Sequence, residues 1–214
     1  MTHSLHRRGC RESLKDDFVV IGCPATGINK KGSAPKTREL LRIAYEHQPI
    51  NEGDMKTGNI YNTTIDDILN RVTDGTVVQV VYDNRDKVVA LLKELKEKRP
   101  GISVTVSGVT DIVQGMMIEA GLGRIHTVEY SMGTWGNTER LPEYDILKIT
   151  TMCGHAMIAN DLVGKLIRDI KRGHRTVEEA CLEMAKCCTC GIFNLTRGAK
   201  LLREMLPFYV VNRY

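Results

Sequence analysis

The stretch TVVQVVYDNRDKVVALLKELKEKRPGISVTVS, residues 76–107, decides the expected fold. Thr76–Tyr82 is a β-branched, apolar run of strand length. Arg85–Lys98 follows as an amphipathic helix, and Ile102–Ser107 (ISVTVS) is again β-branched. Strand, helix and strand in succession form a βαβ unit, whose crossover places the two strands parallel and the helix on a sheet face.

The pattern extends in both directions. Upstream, Asp17–Cys23 (DFVVIGC) predicts a buried strand, and Pro35 opens a helix over Lys36–His47. Residues 48–62 read as loop, and Thr64 with Asp67 opens a short helix over Ile65–Val72. Downstream, Val109–Ala120 predicts a helix and Ile125–Tyr130 (IHTVEY) a further strand. After GTWGNTERLP the chain turns helical, with Asn160, Asn194 and the pair Thr176–Glu179 as helix starts. The expectation is an α/β fold: a parallel or mixed sheet flanked by helices over 16–133. A helical C-terminal part over 134–214 packs on it and carries a cysteine cluster.

Composition narrows the class. With 42% hydrophobic and 26% charged residues, the 214-residue chain is globular in type, and long enough to bury a core without disulfides. No apolar run reaches the roughly 18 residues of a membrane span. The basic N-terminus lacks the apolar core of a secretion signal, so a cytoplasmic location is expected. Of the net charge of +4, Arg7, Arg8, Arg11, Lys15 and Glu12 account for +3. Residues 1–15 therefore read as a basic flexible tail, and the body has no field suited to nucleic acid.

Chemistry concentrates in two segments, TTMCGHAMIAN (150–160) and KCCTCGIFN (186–194). Each sets a Cys-Gly pair shortly before an Asn at a helix start. Gly154 and Gly191 let the backbone approach a bound group and aim N–H groups at it. Cys187 and Cys190 have the C-x-x-C spacing with which two thiolates grip one centre, Cys188 lies between them, and Cys153 with His155 supplies a second half. In a reducing compartment, clustered thiols are metal ligands or catalytic groups more often than disulfides. A structural zinc site wants a second ligand pair, and Cys153 with His155 is only i,i+2. An iron–sulfur cluster takes ligands from scattered loops and with three cysteines leaves one iron open. Other roles compete: Cys181 sits on an apolar helical stripe with Val177 and Met184, and Cys188 continues that stripe.

The zinc signature of nucleoside deaminases, C-x-E followed by P-C-x-x-C, is approached by spacing only. His155 stands where the catalytic Glu belongs and Lys186 replaces the Pro, so that reaction does not carry over.

Further candidates are weaker. GCPATGINKKG (22–32) lies between a strand and a helix but lacks the Lys-Ser/Thr of a P-loop; Lys30 and Lys31 remain candidates for an anionic ligand. Asp83, Asn84 and Arg85 stand at a strand's carboxyl end, where α/β sheets gather ligands, and equally suit a turn or cap. The loop GTWGN (133–137) holds the single Trp, as a lid or the interface of a homo-oligomer.

The expectation drawn from this pattern is a 4Fe-4S type iron–sulfur protein with Cys153, Cys187, Cys188 and Cys190 as candidate ligands. It is expected to be an enzyme of cluster-dependent lyase, hydro-lyase or redox type, acting through an open iron on a small anionic metabolite. His155 moves the proton. Two alternatives stand beside it. One is a non-enzymatic protein that handles zinc, a cluster or sulfur; the other is a plain α/β ligand-binding domain with reduced core cysteines.

Overall fold

The computed structural model describes residues 4–209. Five strands form one sheet: β1 (Phe18–Cys23), β2 (Asn51–Asp54), β3 (Gly58–Asn59), β4 (Val78–Tyr82) and β5 (Ser103–Ser107). Their spatial order is β3-β2-β4-β1-β5. Every neighbouring pair is antiparallel, which corrects the expected parallel or mixed sheet.

The physical reason lies in the connections. The helix α4 (Arg85–Lys98) joins β4 to β5, and both strands run antiparallel to β1, hence parallel to each other. Likewise α2 (Ala34–Glu46) lies between β1 and β2, which both run antiparallel to β4. Each βαβ unit has the strand directions that its crossover demands. The units are split, however, and one strand of each is inserted between the strands of the other. With β3 set aside, the result is the β-α-β-β-α-β order of the split-βαβ, or ferredoxin-like, motif. This is a statement about topology alone and implies no cofactor.

The long apolar strands also point, in the sequence, to a parallel sheet. Such runs usually mark parallel sheets because those are covered on both faces. Here the sheet is covered on both faces while remaining antiparallel. Phe18, Val20, Val78, Val80 and Tyr82 point into a core with α2, α3 (Ile65–Arg71), α4 and α5 (Thr110–Glu119). Val19, Ile21 and Val81 alternate with them and meet a second core. That core is built by α6 (Tyr144–Thr150), α7 (Asn160–Lys171), α8 (Val177–Cys187) and α9 (Leu195–Met205). Each fully buried Leu, Ile or Phe contributes about 1.5–3 kcal/mol through removal of apolar surface from water.

Local chemistry sets the helix starts. Thr64 accepts from the Asp67 amide, Thr176 and Glu179 form a reciprocal capping box, and Asn194 accepts from the Arg197 amide. Asn160, expected as a cap, is instead the first helical residue after Ala159. Two further expectations are corrected. Residues 48–62 contain β2 and β3, hidden in sequence because Asn51–Asp54 (NEGD) is polar although all four residues are buried. Residues 125–130 form no strand and lie largely exposed.

Among the described residues no helix is long and apolar enough to cross a membrane.

Candidate functional site

Two turns meet on the α6–α9 side of the sheet. The first follows α6: the Cys153 amide donates to the Thr150 carbonyl at 3.1 Å, and the Ala156 amide returns to the Cys153 carbonyl at 3.0 Å. Ala156 takes a left-handed conformation, φ 55°, a strain that a non-glycine residue accepts only where its surroundings impose it. The second follows α8, where the Gly191 amide donates to the Cys188 carbonyl at 2.9 Å. Gly191 has φ 80° and lies flat on β2, so that an added Cβ would come within 2.6 Å of the Glu52 backbone. Only glycine combines that conformation with that approach. Asn59 of β3 fastens the same turn, its amide donating to the carbonyls of Ala185 at 3.0 Å and Cys188 at 2.9 Å.

Cys153, Cys188 and Cys190 influence one another's titration, with Cys188 acting on both of the others. All three are buried, whereas Cys187, the last residue of α8, is partly exposed. All seven cysteines are free. The nearby backbone amides favour the thiolates: those of His155 and Met157 lower the Cys153 thiol, and that of Ile192 lowers Cys188 and Cys190. His155 is exposed, with Nδ1 at 3.5 Å from the Cys190 sulfur.

The mutual influence has a direction. Cys190 titrates below an ordinary thiol, first because Cys188 donates to it, and further through the Ile192 amide and the Arg7 charge, against the opposing effect of burial. Cys188 is favoured as thiolate by Cys153 but opposed by Cys190 and by burial, and is pushed up to about 12. Cys153 is raised by its hydrogen bond to Cys188 and then by burial. Burial also raises Cys187. Cys181 lies in the core beside Gly198 and is pushed up to about 12, mainly by burial.

A buried cation holds the two turns together. Arg7 donates to the carbonyl of Met152, just before Cys153, at 3.4 Å, and also to the carbonyl of Ile192, just after Gly191. It pairs with Asp17, whose other oxygen meets Arg197 at 3.3 Å. Arg197 donates in addition to the carbonyls of Ser13, at 2.9 Å, and Arg8, at 2.5 Å. Asn194 donates to Asp17 at 3.0 Å. Residues 4–15, set apart in the sequence by their charge, thus contribute Arg7 to the interior beside the thiols. Arg7 was missed as a site residue because its charge looked like part of a solvated run; no local spacing distinguishes it from Arg8 or Arg11.

The remaining candidates lie elsewhere. Lys30 and Lys31 line a surface cleft with Gly27, Ile28 and Asp74 at the start of α2, on the other face of the sheet from the cysteine turns. There the Asp74 carboxylate already accepts from the Gly32 amide at 2.7 Å and the Ala34 amide at 2.9 Å. Asn84 caps α4 through the Asp86 and Lys87 amides, Arg85 pairs with Glu119 and Asp86, and Asp83 accepts from Thr196 at 2.7 Å. Among the described residues, no group of three or more His, Cys, Asp or Glu side chains is spaced to hold a metal ion in this conformation. Comparison with family models, curated proteins and solved structures finds no match for the chain.

Proposed function

We propose that the turns at Cys153 and Cys188–Cys190 form the thiolate centre of an iron–sulfur protein, with Cys153, Cys188 and Cys190 as its protein ligands. The observation that carries this reading is the convergence of two Cys-Gly turns, distant in sequence, on one set of sulfurs whose thiolates nearby backbone amides favour. Amide donors to sulfur stabilise cluster thiolates and tune their potential. The proposed set is three cysteines drawn from two turns distant in sequence. That favours a multi-iron cluster, whose cysteines sit around an extended core, over a single zinc ion with four inward ligands. Three cysteine ligands leave one iron open, beside the exposed His155. We assign that position to a small anionic metabolite, with His155 as the group that exchanges a proton, in a reducing cytoplasm.

The test is anaerobic purification with iron, sulfide and zinc analysis. Brown protein with broad absorbance near roughly 400 nm, bleached in Cys190→Ser, supports the cluster. Colourless protein with one zinc per chain assigns the turns to zinc instead.

A second reading rests on the 3.5 Å separation of His155 Nδ1 and Cys190 Sγ, the reach of a nucleophile and its base. In that case metal-free protein carries one thiol that alkylates much faster than the other six, and His155→Gln slows it.

A further inference from the structure

β5 is an edge strand. It pairs with β1 and, among the described residues, with no other strand. One flank packs on the α2–α5 core through Val104 and Val106; on the other, Ser107 meets the buried Ser4 at 2.7 Å and the rest is open. Ser103 and Thr105, which alternate with the half-buried Val104 and Val106, are exposed, so the α6–α9 layer does not extend over this edge. An open row of backbone N–H and C=O groups beside a bare sheet face is a template for another strand.

The same chain carries an exposed segment, irregular up to a short 3-10 turn at Thr138–Arg140, that answers to it. Every residue from His126 to Leu141 is exposed, with no strand pairing. The composition is wrong for a solvated loop: Val128, Tyr130, Met132, Trp135 and Leu141 are all exposed, Met132 at 84% and Trp135 at 83%. Ile125–Tyr130 has the β-branched and aromatic content of a strand, yet no strand among the described residues pairs with it. Its ends are anchored, at the start by the Ile125 amide on Gln114 at 3.1 Å, and beyond its end by Ser131 and Thr134 against His6 and Arg8.

We propose that residues 125–141 are an exchange arm, and that two copies of this chain pair by adding Ile125–Tyr130 of each to the β5 edge of the other. Two arms and two edges are satisfied at once by a twofold exchange, the self-complementary arrangement that homodimers adopt. The lengths agree: six arm residues span about 20 Å as a strand and the five of β5 about 17 Å. The sixteen exposed arm residues with the five of β5 match the roughly 20–30 residues a side of a standard interface. The apolar side chains of the arm then cover the bare face beside Thr105 and leave water. This proposal is independent of the cysteine chemistry.

The experiment is sedimentation equilibrium of the full chain at about 50 µM, with amide hydrogen exchange, for wild type and the double variant Val128→Asp, Tyr130→Asp. Both positions are exposed, so the monomer fold is unaffected by them, as far-UV circular dichroism will verify. The expected result is a wild-type dimer and a monomeric variant, with amides at 103–107 and 127–130 exchanging at least about tenfold faster in the variant. A wild-type monomer overturns the proposal. So does a dimer that survives the double substitution, or slow exchange at 127–130 in a monomer, which places the arm on its own chain.

Discussion

The two faces of the sheet are built from different materials. Beneath α2–α5 the core is aliphatic and aromatic, and its side chains come from helices whose apolar spacing is regular. Beneath α6–α9 the core includes Cys153, Cys181, Cys188 and Cys190, and the turns there are fastened by side chains from distant parts of the chain, Arg7, Asn59 and Asn194. The first face is closed by burial with polar ties of shorter sequence range, such as Tyr82 to the Ala44 carbonyl at 2.6 Å and Arg38 to the Val72 carbonyl at 2.8 Å. The second is closed by burial together with specific polar ties, each joining segments more than 100 residues apart. That difference bears on the proposed thiolate centre. A face that only has to be stable needs no such ties, whereas sulfurs that must keep a fixed relation need turns that cannot drift.

The largest expected effect on this contrast comes from Arg7→Ala. It removes a buried cation from Asp17 and unfastens Met152 from Ile192. Loss of one partner of a buried pair costs about 3–5 kcal/mol, and the remaining Arg197–Asp17 contact places this variant near the lower end. Urea unfolding measures it, and Arg11→Ala, whose pairing with Asp111 is exposed, leaves the midpoint unchanged.

Next is Cys181→Ser, which puts a hydroxyl into the sulfur-rich core away from the turns. It is expected to cost about 1–3 kcal/mol by the same unfolding measurement, with no change in bound iron. Loss of iron would move Cys181 from packing to ligand. Leu41→Met in the aliphatic face costs under about 1.5 kcal/mol and leaves the thiols' reactivity as it was.

The aliphatic face also buries polar side chains, and one of them, Glu52, gives a pH test. Glu52 is opposite Val80 in the register, shares its face, is fully buried, and neither carboxylate oxygen has a hydrogen-bond partner among the described residues. Burial raises its pKa well above the ordinary carboxylate value of 4.5. Because the folded value is the higher one, the folded state binds the proton more tightly. The stability this confers is complete below the unfolded pKa and is lost as pH rises through the folded one. Glu52→Gln should therefore unfold like wild type in acid and become progressively more stable than wild type as pH rises. Parallel stability curves across pH would show that Glu52 does not ionise in the fold.

The sequence discloses the aliphatic face far better than the sulfur face. The helix α4 appears with its observed bounds because Arg85–Lys98 obeys helical spacing and Asn84 caps it. Strand direction does not appear, since apolar runs report cover on both faces and not the sense of a neighbour. β2 is invisible because NEGD has no strand pattern; it is held by pairing with β4 and by the Cys190-Gly191 turn lying on it. Within the site, the meeting of Cys153 with Cys190 was foreshadowed by two similar Cys-Gly-to-Asn segments. The action of Cys188 on both was not, because periodicity gave it equal claims as stripe and ligand. Arg7 was out of reach of local pattern altogether, its partners being fixed only by the fold.

The central claim, that Cys153, Cys188 and Cys190 form one thiolate centre, is tested most directly by anaerobic reconstitution of wild type, Cys188→Ser and Cys187→Ser side by side. Iron and sulfide are to be counted per chain. The account predicts that wild type and Cys187→Ser bind the cluster and that Cys188→Ser does not. Cluster binding by Cys188→Ser together with its loss in Cys187→Ser, or no iron in any of the three, would contradict it.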